Sequence, residues 1–230
     1  MRQYGAPLNG YDTNHKQIYR DNICDFVDNA YAHRKSKVSI LCLDTTSMLE
    51  RRTWLSRGYS ERNIITVNKN ANELFISSLS ENCRTMCGDV FDILRNLHAI
   101  NQYPDIVNLD LCGPYTQNLA DNLQRIRMKY VRSGCIVAVT VWRRSIMHKF
   151  PSRDVSSAML DWIGRRASTG EYVHSNTSDA WRLVSIVSAL CGNMALPMLS
   201  TGNRIPRRYL DSVSRIKWSS YKHMMWIACE

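Results

Sequence analysis

The sequence predicts an α/β fold: a mostly parallel sheet with helices on both faces, closed by a C-terminal antiparallel hairpin. Two observations carry that prediction. Short, almost continuous apolar runs (SILCL, IITV, DIVNL, CIVAVTVW) are separated by stretches of helical length, the pattern of βαβ crossovers whose strands are covered on both faces. The last stretch, Arg208 to Glu230, alternates apolar and polar residues around Ser219-Ser220, which suits a terminal hairpin or two edge strands. At 230 residues, 44% of them hydrophobic, the chain can bury the core that such a sheet requires.

Residues 1–15 are irregular and rich in Gly, Pro and Asn. Ile18, Tyr19, Ile23, Phe26, Val27, Ala30 and Tyr31 then recur at helical spacing and predict an amphipathic helix of about four turns that packs on the core. After the basic turn HRKSK, the run KVSILCLD reads as a central parallel strand ending at Asp44. Thr45 or Thr46 caps the next helix, which carries Met48, Leu49, Trp54 and Leu55 on one face and ends at Gly58. NIITVN is a second strand and ANELFISSLS a helix; TMCGDVFDIL gives a short strand, Asp89 at a turn, and a helix continuing to Leu97.

PDIVNLDLCGPY is one buried strand that breaks into a turn at Cys112-Gly113-Pro114, with Asp110 at its carboxyl end. Ligands of open α/β sheets gather at that edge, so Asp110 is a candidate for chemistry, with capping of the following helix as the competing role. A helix from Thr116 to Val131 leads past Gly134 into CIVAVTVW. Beyond residue 144, helices are expected around Ala158–Ile163 and Asp179–Cys191.

Thirty Lys+Arg against twenty Asp+Glu give a formal charge of +10. The excess clusters at Arg51-Arg52, Arg125-Arg127-Lys129-Arg132, Arg143-Arg144, Arg165-Arg166 and Arg204-Arg207-Arg208, which points to a polyanionic partner, most simply a nucleic acid. Trp54, Tyr130, Trp142 and Tyr209 lie beside these clusters as stacking surfaces would. Arg51-Arg52, on a helix, reads rather as a solvated face. The cysteines sit mostly inside apolar runs, as small buried hydrophobes of a reducing, cytoplasmic compartment do. Cys83 and Cys87 lack a second Cys or His pair, so no metal site is expected. No apolar window of about 18 residues and no apolar h-region occur, so neither a membrane span nor a secretory signal is expected.

The succession ILCLD, ITVNKN, CGDVFDIL, DIVNLDLCGPY and GCIVAVTVW resembles the class I S-adenosylmethionine-dependent methyltransferases over residues 37–144. More narrowly, the LD-x-x-G turn followed by a long helix and an apolar strand is similar to the tRNA guanine methyltransferases that modify the exocyclic amine. Their turn reads roughly DLDPFGSP against NLDLCGPY here. The amino-methyltransferases of adenine and cytosine, with a [DNS]-P-P-[YFW] turn, are matched in part by Gly113-Pro114-Tyr115. The resemblance implies a Rossmann-like methyltransferase three-layer sandwich. Residues 1–36 would form an N-terminal segment and helix packed on a methyltransferase-like domain of residues 37–230. It implies S-adenosyl-L-methionine as cofactor and methyl transfer to a nucleic-acid base, RNA ahead of DNA.

The resemblance also implies roles. Asp44, Thr45 and Thr46 would lie at the methionine end of the cofactor, and Asn68 and Lys69 stand where an acid usually holds the ribose. Asp89 would accept from the adenine amine, with Val90 or Phe91 against the ring. Asp110 would face the transferred methyl and take the amine proton. Cys112, Gly113, Pro114 and Tyr115 would line the substrate side, Tyr115 stacking on the base, with Arg143 and Arg144 as further substrate contacts. The pattern departs at the first turn: LDTTSMLERR has no glycine until Gly58, so bulkier residues crowd the methionine moiety unless the backbone takes another path. Two other readings stay open. One is a methyltransferase-like fold without cofactor affinity, serving as a basic nucleic-acid scaffold in a virus or mobile element; the other is an enzyme of this fold with a small-molecule substrate. A protein partner or homo-oligomer is compatible with each.

Overall fold

The computed structural model describes residues 14–45, 48–72, 84–142, 186, 216–221 and 224–230, and joins seven strands into one sheet. In chain order the elements are α1 (Asn14–Tyr31), β1 (Ile40–Leu43), α2 (Leu49–Ser56), β2 (Ile64–Asn68), β3 (Arg84–Cys87), α3 (Val90–Ala99), β4 (Ile106–Pro114), α4 (Gln117–Arg125), β5 (Ile136–Trp142), β6 (Ile216–Tyr221) and β7 (Met224–Cys229). Short 3-10 turns cover Ala32–Lys37 and Glu61–Asn63, and α4 runs on into a π-helical turn, Ile126–Tyr130. The strand order is β3-β2-β1-β4-β5-β7-β6. β1 to β5 pair in parallel, and β7 lies antiparallel between β5 and β6.

The two-residue period of the strands sorts their side chains into two cores. Leu41, Val107, Leu109, Val137, Val139 and Val141 meet Ile93, Leu94 and Leu97 of α3 and Leu119, Leu123 and Ile126 along α4. On the other face Ile40, Cys42, Ile106, Ile136 and Ala138 meet Ile23, Phe26, Val27 and Tyr31 of α1 and Trp54 of α2. This double cover is why the central strands are apolar without a break. Each fully buried Ile, Val or Leu removes about 1.5–3 kcal/mol worth of apolar surface from water, so a polar residue in these strands stands out. Asn108, 2% exposed within β4, is such a residue.

α1 runs the length of the sheet against the strand direction. At its end the Tyr31 hydroxyl donates to the Gly134 carbonyl (2.8 Å), just before β5. At its start Lys16 reaches Asp110 near the far end of β4.

Two sequence expectations shift. β4 does not turn at Cys112-Gly113-Pro114; it continues through Pro114 with a break in register, since Asp110 pairs with Thr140 and Pro114 with Trp142. Four steps along β4 thus match two along β5, and the excess is taken up as a bulged strand end, where a proline without an N–H is tolerated. Ser219 and Ser220 are not the hairpin turn either. They lie inside β6 opposite Trp226 and Met225, and the chain reverses between Tyr221 and Met224, which pair. Serine favours a turn when its hydroxyl can compete for the backbone; here the backbone already has a ladder to join. The helix expected at residues 71–80 begins at 71–72 and otherwise lies outside the described residues. So do the helices expected around 158–163 and 179–191, apart from Ile186, which is helical and fully buried.

Candidate active site at the carboxyl rim

The sheet order reverses between β1 and β4, which makes that gap the switch point where a doubly wound sheet opens toward ligands. Pairing of β1 with β4 stops at Cys42↔Asn108, of β1 with β2 at Leu43↔Val67, and of β2 with β3 at Asn68↔Cys87. Continuing these registers by one or two residues brings Asp44, Asn68 and Asp110 onto one row across the rim, with Asp89 just beyond β3.

Asp44 ties down the first turn. Its Oδ1 accepts from the Thr45 N–H (2.9 Å) and its Oδ2 from the Arg51 N–H (3.0 Å) inside α2. Of the two threonines expected to cap α2, Thr46 lies outside the described residues; the residue preceding α2 is Met48, with no side-chain cap bond. Met48 adopts the left-handed conformation (φ 53°, ψ 31°), and its N–H closes the turn on the Thr45 carbonyl at 3.0 Å. This is the alternative path that a glycine-free turn requires. Burial raises the Asp44 carboxyl to about 6, against the pull of the Arg51 and Thr45 N–H groups.

Asn68 is spent on the fold. Its amide donates to the Asp44 carbonyl (2.6 Å) and its Oδ1 accepts from the Asn70 N–H (2.8 Å), so it braces β2 against β1. Asp89 caps α3 by accepting from the Phe91 N–H (2.9 Å), and its other oxygen meets Lys69 Nζ at 2.6 Å. Burial pulls its carboxyl upward, but the Lys69 ammonium and the Phe91 N–H outweigh that and hold it below the ordinary range. Gly88 before it has φ +145°, a conformation that side chains rarely adopt, and its N–H bonds the Asn68 carbonyl (3.0 Å). Val90, the first residue of α3, is buried in the core.

Asp110 is ion-paired with Lys16 of α1 at 2.9 Å, both side chains being less than 15% exposed (12% and 14%). Beneath the pair lies a buried polar network. Arg20 Nε donates to Glu50 Oε1 (2.6 Å), and Asn108 Nδ2 donates to Glu50 Oε2 (2.7 Å). Burial, then the nearby Asp110 charge, raises the Glu50 carboxyl to about 7 despite the Arg20 guanidinium. The gap enclosed by Lys16, Arg20, Glu50, Asn108, Asp110 and Thr140 holds only about 10 Å³, no more than one water. Arg20 Nη1 and Asn108 Oδ1 are buried there without a hydrogen-bond partner. α1 therefore seals this face beneath Asp110.

Lys16, Arg20, Glu50 and Asn108 were missed by sequence reasoning. The available signal was polarity on an apolar stripe: Lys16 and Arg20 flank Tyr19 and Ile23, and Asn108 interrupts a run of apolar residues.

Tyr115 is fully buried in the core beside α3 and α4, so stacking on a base would require this segment to open. Cys112, Gly113 and Pro114 form the bulged end of β4 next to Asp110. Arg143 and Arg144 lie outside the described residues. Arg51 is not on a solvated face: it is 2% exposed and paired with Glu61. Trp54, 1% exposed, is core and no stacking surface. Among the described residues no His, Cys, Asp or Glu cluster suits a metal ion, and no helix is long and apolar enough to cross a membrane.

A parallel sheet reversed at β1/β4, ended by an antiparallel β7 inserted beside β5, and flanked by helix layers is the Rossmann-like methyltransferase three-layer sandwich of class I. No protein-family model and no curated protein matches the chain. Among solved structures it is similar to a fibrillarin/Nop5p complex, at 12% identity over 85% of this chain and 73% of that one, TM-score 0.48. It is also similar to a SAM-dependent methyltransferase from Agrobacterium tumefaciens, at 10% identity over 92% and 62%, TM-score 0.47. A third is Aeropyrum pernix fibrillarin with natively bound S-adenosyl-L-methionine, at 12% identity over 84% and 66%, TM-score 0.43.

Proposed function

We propose that the chain is an S-adenosylmethionine-dependent methyltransferase acting on a nucleic-acid base, RNA ahead of DNA. The observation that supports this best is Asp110: a carboxylate at the switch-point rim, fixed by Lys16 and backed by the Glu50–Asn108 bond two residues earlier on the same face of β4. The net charge of +10 supports a polyanionic substrate.

The rim fits the cofactor unevenly. The turn after Asp44 and the start of α2 would receive the methionine end, and Asp89, about a third exposed, would accept from an adenine amine. Asn68, with both amide atoms engaged, does not fit a ribose acceptor as it stands. S-adenosylmethionine, when bound, would supply a methyl group made electrophilic by the sulfonium, whose S–C bond breaks to release a neutral thioether. An exocyclic amine is a weak nucleophile because its lone pair is delocalised into the ring. Asp110 would accept one amine N–H, orient the lone pair, and take the proton as the new N–C bond forms. Backbone carbonyls of Cys112 and Gly113 would accept the second hydrogen. The Lys16 ammonium restrains the Asp110 carboxylate, so alignment is set before the base arrives.

The test is isothermal titration with S-adenosylmethionine together with transfer of labelled methyl to RNA. Saturable binding is expected, and Asp110→Asn should keep it while transfer falls roughly 10²–10⁴-fold. Label recovered on the ribose instead of the base would refute the amine acceptor. Unchanged transfer in the variant would remove Asp110 as the proton acceptor. A second reading, a nucleic-acid scaffold without cofactor affinity, is favoured by the internal satisfaction of Asp44 and Asn68; well-folded protein that binds RNA but gives no heat with the cofactor would select it.

A further inference from the structure

At the opposite, amino-terminal edge of the sheet lies a cavity of about 280 Å³, whose lining includes Ser39, Arg84, Asn101, Gln102, Tyr103 and Arg132. It sits where β1, β3 and β4 begin, and the start of β4 lies roughly 13 Å from Asp110 along the strand at about 3.3 Å per residue. Its walls present two guanidinium groups. Arg132 lies over the Tyr103 ring at 4.3 Å, and Arg84 Nη2 donates to Gln102 Oε1 at 3.0 Å. Among the described residues neither arginine has a carboxylate partner, whereas Arg20, Arg51, Arg57 and Arg95 do. Asn101 holds a left-handed backbone (φ 57°) that turns its segment around the rim of the cavity.

We propose that this cavity binds a phosphate-bearing nucleotide unit of a single-stranded nucleic acid, as a second anchor remote from the rim where chemistry is placed. Two guanidiniums suit phosphate oxygens, and the amide NH2 groups of Asn101 and Gln102 supply donors for a base or sugar edge. The volume is slightly below the roughly 300 Å³ at which small-molecule pockets begin, enough for one nucleotide unit and too small to admit a duplex. Nucleic acid held there and at Asp110 would have to cross the length of the sheet. The inference rests on a nucleic-acid substrate, yet it can stand even if methyl transfer fails.

The experiment is fluorescence anisotropy of a labelled single-stranded RNA of about sixteen nucleotides across a salt series, for the native chain and Arg84→Gln/Arg132→Gln. Both side chains are exposed, so the double variant should fold; a matching thermal transition checks this. With one phosphate per arginine and about 0.7 counterions released per single-strand phosphate, the slope of log affinity against log salt should become shallower by about 1.4. An unchanged slope overturns the proposal. So does displacement of the RNA by polyglutamate as effectively as by unlabelled RNA at equal charge, which would mark an acidic-protein surface. Titration with S-adenosylmethionine of the same variant separates the two ideas: a lost slope with no cofactor binding in either protein keeps the anchor and removes the methyltransferase reading.

Discussion

Glu50 should make the protein less stable as the pH rises through neutrality, opposite to the behaviour of a favourably paired surface carboxylate. Its carboxyl moves from an ordinary value of 4.5 to about 7 because burial, then Asp110, disfavours its charge more than Arg20 favours it. A raised folded-state value means that the native state holds its proton where the unfolded chain has released it. The resulting stabilisation is full below about pH 4.5 and is lost as the pH climbs through about 7. Integrating that linkage between about pH 5 and about pH 8 gives a loss of roughly 2–3 kcal/mol, equivalent to a fall in Tm of roughly 5–10 °C for a chain of this size. Asp44, raised to about 6 by burial, acts in the same direction at slightly lower pH. Glu50→Gln keeps an oxygen for the Asn108 amide but cannot ionise, so its Tm should depend less on pH, converging with the native chain in acid and exceeding it near pH 8. Thermal unfolding by circular dichroism across that range measures both. A native profile flat to within about a degree, or a variant with the same slope, would refute the reasoning.

Two further outcomes test the rim. Met48→Gly should raise stability by up to about 1 kcal/mol, because the left-handed backbone there is costly for any side chain and glycine's extra unfolded-state freedom offsets part of the gain. A comparable fall in the urea midpoint would mean that Met48 packing outweighs its backbone strain. Asp89→Ala should cost about 1 kcal/mol through loss of the α3 cap, and the exposed Lys69 contact adds little. Because the Asp89 carboxyl is held below its ordinary value, that difference is fully present above about pH 4 and should shrink as the pH falls further and the folded carboxyl takes up its proton; a constant difference would show that the charge is not the source.

The layers were legible because a strand covered on both faces leaves a plain trace: Ile40 to Leu43 and Ile136 to Trp142 admit few polar residues. Asp44, Asp89 and Asp110 were legible for a related reason, since each stands where an apolar run ends or nears its end. What surrounds them was not. Lys16 meets Asp110 across 94 positions and Glu50 meets Asn108 across 58, distances over which local periodicity carries no information. Met48 was hidden differently: a left-handed residue is expected to be glycine or asparagine, and only the closed turn from Thr45 forces methionine into that role. Tyr115, expected to stack on the base after a Gly-Pro step, is carried into the core by the prolonged β4.

α1 behaves as a ruler laid across the whole domain, about 27 Å long at 1.5 Å per residue, with its zero set by the tyrosine at one edge of the sheet. Adding one residue between Lys16 and Tyr19 would swing the ammonium through about 100° while every apolar contact from Tyr19 to Tyr31 stays in place. The rim would lose its counter-charge although the domain remained folded. The spacing of this helix is therefore constrained at its charged tip as tightly as along its greasy side.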